Sequence, residues 1–175
     1  YANLLQLDSA SHYFDKAMQG YQIAANQRGK ATTAFKIAWV YRRRQQLDKA
    51  MEADLQALKL MEAIDDIPGI ASALGRVSED LMMQGRLEES LEYAQRAVKL
   101  TKENNLQEAL AYAYRSVGDA YIAMEKNEAA YEAYEKNYQL FWKLNFPTMS
   151  LADALNSRGN ALKRLGNYEA ALQDY

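Results

Sequence analysis

Apolar positions recur along the chain at the spacing of amphipathic helices, three or four residues apart. The pattern predicts one set of helices near 30–44, 69–84, 107–124 and 148–164. It predicts a second, alternating set near 7–26, 47–65, 87–104, 127–145 and from 168 onward. Both prolines, Pro68 and Pro147, fall at junctions between these segments, where a missing N–H costs least. We therefore predict an all-α chain with nine helices or partial helices and no strand.

The pattern also repeats at a fixed distance. A small residue stands in the middle of each first helix, and its successive copies are Ala38, Ser78, Gly118 and Gly159. The second helices show the same period at Ala10, Ala50, Ser90, Ala130 and Ala171. A constant period of this length, 40 or 41 residues, is typical of stacked helix pairs. We predict one solenoid domain over residues 1–175, with copies at about 1–27 (partial), 28–67, 68–106, 107–147 and 148–175 (partial).

The stretch from Arg158 to Leu172 carries a recognisable motif: a small residue, a large apolar one three positions later, a turn glycine, then Tyr-x-x-Ala. This resembles the tetratricopeptide repeat, in the long-repeat variant found in bacterial signalling and regulatory proteins. The usual period is about 34 residues, and we expect the additional residues of this chain to lengthen the second helix. The resemblance implies a right-handed superhelical solenoid of antiparallel helix pairs. Its first helices would line a concave groove that binds a protein or peptide without catalysis.

Charge and composition narrow the functional classes. The 175 residues include 21 Lys and Arg against 23 Asp and Glu, so the net charge of −2 gives no reason to expect a nucleic-acid partner. There is no cysteine and only one histidine, His12, which we expect on the surface, so no metal, cofactor or catalytic residue is predicted. No apolar run reaches the roughly 18 residues of a membrane span. We expect no membrane insertion by this segment and a soluble chain, either cytoplasmic or periplasmic.

The candidate binding residues are first-helix positions that do not pack in the register of the copies. They are Phe35, Trp39, Arg42, Arg43, Glu79, Met82, Met83, Tyr112, Arg115, Asp119, Asn156 and Asn160. Phe35 and Trp39 are four residues apart and share a helix face. With Arg42 and Arg43 beside them, they suit a peptide anchor next to an acidic residue. The alternative is that Trp39 belongs to the core and the arginines offset the helix dipole.

Two acids and a glycine lie in the middle of the surface that these candidate residues would form. Glu79 and Asp119 place negative charge where a clamp for a C-terminal carboxylate needs neutral donors, so chaperone-tail binding is not expected. We expect these acids to form ion pairs with Arg76 and Arg115. Gly75 lies inside a predicted helix, where glycine costs about 0.5–1 kcal/mol relative to alanine. Either a ligand or another helix approaches it, or the cost is simply tolerated.

The interpretation that follows is a recognition module of a larger signalling or regulatory protein. One alternative is a homo-oligomerisation or structural module that uses the second helices and the Phe141-Trp142 pair. A further alternative is the substrate-selecting region of an enzyme whose catalytic domain lies outside this chain. The sequence predicts an interaction but does not identify the partner.

Overall fold

The computed structural model describes residues 2–145 and 147–175, with side chains from residue 7 onward. This part of the chain forms nine α-helices and no strand, so the all-α prediction is confirmed. In order, the helices are α1 (Ala2–Ile23), α2 (Gln27–Arg43), α3 (Leu47–Glu62), α4 (Ile67–Met83), α5 (Leu87–Glu103), α6 (Gln107–Ala123), α7 (Asn127–Lys143), α8 (Thr148–Arg164) and α9 (Tyr168–Asp174). Each helix packs on the next along the chain, and α4 also packs directly on α6.

The helices between α2 and α8 are nearly equal in length. The first helices of the pairs, α2, α4, α6 and α8, have 17 residues each. The second helices have 16 residues in α3 and 17 in both α5 and α7. The expected lengthening of the second helices alone is therefore wrong, because the two helices of a pair share the length of the long repeat.

Every joint between consecutive helices contains one residue with a left-handed backbone. Two of these residues are glycines, Gly85 and Gly166, and the other six are Ala25, Gln45, Asp65, Asn105, Glu125 and Asn145. After α4, for example, the Arg86 N–H donates to the Leu81 carbonyl at 2.9 Å. This bond across a left-handed residue satisfies a carbonyl that would otherwise lack a partner at the helix end. The sequence indicates such turns clearly only where glycine supplies them.

The core is built mainly from small residues, as their recurrence predicts. Ala38, Ala50 and Ala130 are fully buried, so adjacent helix backbones approach closely at these positions. Gly118 instead makes room for a side chain, since a Cβ atom there would lie 2.5 Å from the Tyr134 ring. Larger residues fill the space beside these contacts and supply most of the buried apolar area.

An ionic cluster joins the last three helices. Arg158 of α8 donates to Glu135 of α7 at 2.6 Å and to Asp174 of α9 at 2.5 and 2.8 Å. Its guanidinium also lies 4.2 Å from the centroid of the Tyr138 ring. In the two preceding copies the position of Arg158 is occupied by Val117 and Val77. This arginine therefore replaces a core valine, and its acids and ring compensate for the burial of its charge.

The left-handed joints generate a stability prediction. Glu125 has φ of 60° and is exposed, so Glu125→Gly removes backbone strain of about 1–2 kcal/mol. The extra entropy of glycine in the unfolded chain offsets about 0.4–1 kcal/mol of this gain. We expect the free energy of unfolding in urea to rise by about 0.5–1 kcal/mol.

Gly85→Ala is the matched control for this prediction. Gly85 has φ of 76°, and a Cβ atom there would meet nothing within 4 Å, so only the backbone conformation is penalised. This variant should lose stability. Equal and opposite effects at the two joints would support a common turn geometry, whereas a loss of stability in Glu125→Gly would contradict it.

Candidate functional site: the concave groove between α4 and α6

A concavity of about 950 Å³ lies between α4 and α6, and we call it the concave groove. Both helices are first helices of their pairs, on the side where the sequence pattern predicts binding. Five of the predicted site residues line it, namely Glu79, Met82, Tyr112, Arg115 and Asp119. The lining also includes residues that were not predicted to bind, among them Ser72, Gly75, Arg76, Asn105, Glu108 and Ser116. The groove thus combines an apolar surface with charged groups of both signs.

Gly75 of α4 lies close to Ser116 of α6 in the groove. A Cβ atom at this position would be 3.3 Å from the Ser116 hydroxyl oxygen, which is closer than ordinary van der Waals contact. Of the three explanations for a mid-helix glycine, the approach of another helix is therefore the one observed. The absence of a side chain at Gly75 also leaves the floor of the groove open.

The two groove arginines lie against aromatic rings. The Arg76 guanidinium is 4.8 Å from the centroid of the half-buried Phe35 ring, and that of Arg115 is 5.8 Å from the centroid of Tyr112. Among the described side chains, neither arginine forms an ion pair, so the expected pairs with Glu79 and Asp119 are wrong. Arg76 Nε is buried without a hydrogen-bond partner in this part of the chain. Both cations keep donors available in the groove.

Asp119 is held by a tyrosine from the neighbouring second helix. The Tyr134 hydroxyl donates to Asp119 Oδ1 at 2.7 Å. Burial raises the pKa of Asp119, and although the Tyr134 bond and Arg115 oppose this rise, Glu79 adds to it. The same arrangement recurs one copy later, where the Tyr175 hydroxyl donates to Asn160 Oδ1 at 2.9 Å. The sequence signal for both bonds is a tyrosine at the same distance after the groove residue, a separation of 15 positions in each case.

The tetratricopeptide repeat family matches this chain over residues 70–105 and 151–175. The helix pairs, the period and the all-α solenoid agree with that match over the described residues. These two stretches are tetratricopeptide repeats, and the helix pairs of the other described residues repeat the same architecture. Comparison with curated proteins gives no match.

Solved structures with the same repeat fold cover nearly the whole chain. The apo form of RapI is 21% identical with a TM-score of 0.79, over 96% of this chain and 61% of RapI. A Rap protein complexed with Competence and Sporulation Factor is 19% identical with a TM-score of 0.82, over 94% of this chain and 45% of that one. TPR-like repeats of a putative kinesin light chain from Podosopora anserina are 14% identical with a TM-score of 0.72, over 99% and 85% of the two chains. This chain therefore spans less than two thirds of either Rap protein.

The remaining predicted site residues do not line the concave groove. Trp39 is 48% exposed with the Arg43 guanidinium 5.7 Å from its ring centroid, so it does not belong to the core. Met83 is 47% exposed on α4. Asn156 and Asn160 lie on α8, where Asn160 is exposed.

Arg42 is not on the groove surface, contrary to its predicted role. Its Nη1 atom donates to Asp54 Oδ2 and to Asp80 Oδ1, both at 2.6 Å, and its side chain is 8% exposed. Asp54 and Asp80 are fully buried and come from α3 and α4. These three residues form a buried triad that joins the first complete repeat to the next. Because each acid lies on a different helix from Arg42, sequence spacing does not reveal the contact.

Neither a metal-binding cluster nor a membrane-spanning helix is found in the part of the chain that the structure describes. No three or more acidic or histidine side chains there are grouped so that they could hold a metal ion. No described helix is both long and apolar enough to cross a membrane.

The buried triad generates a pH prediction. Burial raises the pKa of Asp54 to about 7 even though Arg42 opposes the shift, while the unfolded value is about 3.9. Between these values the folded state retains a proton that the unfolded state has released, so stability falls as pH rises through this window. We expect the free energy of unfolding to drop by about 1–3 kcal/mol more in the wild type than in Asp54→Asn between pH 5 and 8.

Urea unfolding of the two proteins at both pH values measures this difference. The difference between the two pH profiles removes the contribution of every group that titrates identically in wild type and variant. Parallel pH profiles of wild type and Asp54→Asn would mean that Asp54 is ionised throughout and that the prediction is wrong.

Proposed function

We propose that this chain is a non-catalytic scaffold that binds a peptide or protein surface in the concave groove. It would act as the recognition module of a larger signalling or regulatory protein. The observation that supports this proposal most strongly is the groove itself, about 950 Å³ with apolar and charged lining. A Rap protein of the same fold has been crystallised with Competence and Sporulation Factor, which is consistent with a binding role.

The groove has the chemistry that a peptide needs. Met82 and the Tyr112 ring offer adaptable apolar contact, while Arg76 and Arg115 offer donors that form no ion pair within the described chain. The rings beside the two guanidiniums restrict their motion, so a ligand carboxylate would find donors that are already oriented. A ligand with an apolar residue next to an acidic one fits this combination best.

The pair formed by Trp39 and Arg43 extends the proposed surface toward the preceding repeat. A half-exposed tryptophan stacked by an arginine is the type of residue that dominates binding energies at interfaces. Met82 and Met83 occupy the next first helix at the matching end. Together these four residues would bind the apolar part of a longer ligand that also enters the groove.

A homo-oligomer is the second candidate, because a different tryptophan is exposed away from the groove. Trp142 of α7 is 64% exposed, with its ring centroid 6.2 Å from that of Tyr138. An aromatic surface of this kind would suit a contact between two copies of the chain.

The groove proposal can be tested with a peptide library displayed on phage and selected against the purified chain. Selected peptides should lose at least tenfold in affinity for Arg115→Glu, because the variant adds a further acid to a groove that already carries Glu79, Glu108 and Asp119. Isothermal titration calorimetry measures the affinity, and thermal unfolding checks that the variant remains folded. Unchanged affinity in the folded variant would rule out the groove as the binding site.

A pair of tryptophan substitutions separates the two candidate functions. Trp39→Ala should weaken binding of the longest selected peptides at least tenfold while lowering stability by less than about 1 kcal/mol, since half of the ring is already exposed. Trp142→Ala is the matched control and should leave peptide affinity unchanged. If Trp142→Ala instead changes the molar mass measured by light scattering, the oligomer candidate is supported. A loss of about 3 kcal/mol in Trp39→Ala would show that its ring is core.

A further inference from the structure

A smaller cavity of about 330 Å³ lies between α6 and α7, and we call it the α6–α7 pocket. It is lined by Leu110, Tyr114, Lys136, Gln139, Leu140 and Lys143. Successive helix residues are rotated by about 100°, so Leu110 and Tyr114 lie on a different face of α6 from the groove residues Tyr112 and Arg115. The pocket is therefore separate from the concave groove.

Lysine side chains surround an apolar floor in this pocket. Lys102 Nζ of α5 lies 5.4 Å from the centroid of the Tyr114 ring, and Lys136 Nζ lies 5.6 Å from the same point. Lys143 lines the pocket further along α7 from Lys136. Beneath them, Leu110 is 6% exposed and Leu140 is half-buried.

No acid neutralises these lysines in the described part of the chain, where none of the three forms an ion pair. Two of the neighbouring acids have other partners. Glu135 accepts from Arg158 at 2.6 Å and from Gln139 at 2.7 Å, and Glu103 lies 4.0 Å from Lys99. Two lysines thus line one apolar cavity and Lys102 lies beside its tyrosine ring, in a chain that carries a net negative charge overall.

The preceding copy shows that this arrangement is not a property of every repeat. At the equivalent positions of that copy, Leu74 stands for Tyr114, Glu62 stands for Lys102 and Glu103 stands for Lys143. Only Lys136 has a basic counterpart there, Arg96. Helix packing alone therefore does not require the tyrosine or the three lysines.

We propose that the α6–α7 pocket binds an acidic segment of a partner protein. One apolar side chain of the segment lies on Leu110, Tyr114 and Leu140, and carboxylates on either side of it pair with Lys102, Lys136 and Lys143. The volume accommodates one large side chain, and the positive charge selects the acidic neighbours. This site would be occupied independently of the concave groove, so one chain would hold two partners on different faces of α6.

The test uses a synthetic pentapeptide with phenylalanine between two pairs of glutamates, titrated into the isotopically labelled chain and followed by NMR. Amide signals of Leu110, Tyr114 and residues 136–143 should shift, and the affinity should fall as NaCl rises from about 50 to about 300 mM. A peptide with alanine in place of phenylalanine should bind at least fivefold more weakly. The double variant Lys136→Glu/Lys143→Glu should bind the phenylalanine peptide at least tenfold more weakly.

The control variant is Arg96→Glu, which makes a charge reversal at the position matching Lys136 in the preceding copy. It should leave the affinity within twofold of wild type. Equal binding of the alanine and phenylalanine peptides would reduce the site to nonspecific charge attraction and overturn the proposal. Shifts confined to the groove-side residues Tyr112, Arg115 and Asp119 would also overturn it. Binding of octanoate without binding of the peptide would overturn the proposal as well, because the occupant would then be a small amphipathic anion.

Discussion

The close approach of helix backbones is the constraint on which the rest of this solenoid depends. Ala38, Ala50 and Ala130 lie where helices cross and have no exposed surface, and Gly118 admits the Tyr134 ring. Side chains beyond Cβ at these points would separate the helices, since packed interiors do not absorb added volume. The separation of the first helices in turn determines the width of the groove. The recurrence of small residues that reveals the repeat is thus also what shapes the surface available to a ligand.

Charged residues in this chain are held by partners of several kinds, and the kind decides which charges remain available. Arg42 and Arg158 each donate to two acids and serve the interior. Arg76 and Arg115 rest on rings instead, and a ring does not satisfy N–H donors as a carboxylate does. Asp119 takes its bond from a tyrosine. The available charges are therefore concentrated around α6, and this distribution supports recognition more than stability.

The period and the alternation of helices were predictable because they arise from local spacing and from glycine and proline at joints. The groove was predictable in part, since Glu79, Met82, Tyr112, Arg115 and Asp119 share a face by register alone. Contacts between separate helices were not predictable. Arg42 was therefore wrongly assigned to the groove, and the ion pairs of Arg76 were wrongly expected. The left-handed state of Gln45 and Glu125 was not visible either, because neither residue type favours it. The α6–α7 pocket depends on the meeting of two helices, with Lys102 of α5 beside them, which no single segment encodes.

The two ionic clusters have a consequence for how the solenoid comes apart. A stack of repeats is a one-dimensional array, and each unit is retained only by its neighbours. Arg42 connects α2, α3 and α4, while Arg158 connects α7, α8 and α9, so each cluster crosses a boundary between units. When a repeat detaches at either boundary, an arginine with little exposed surface loses one of its acidic partners. Ion pairs that cross repeat boundaries increase the cooperativity of unfolding. They favour unfolding of the whole array in one transition over stepwise fraying from its ends.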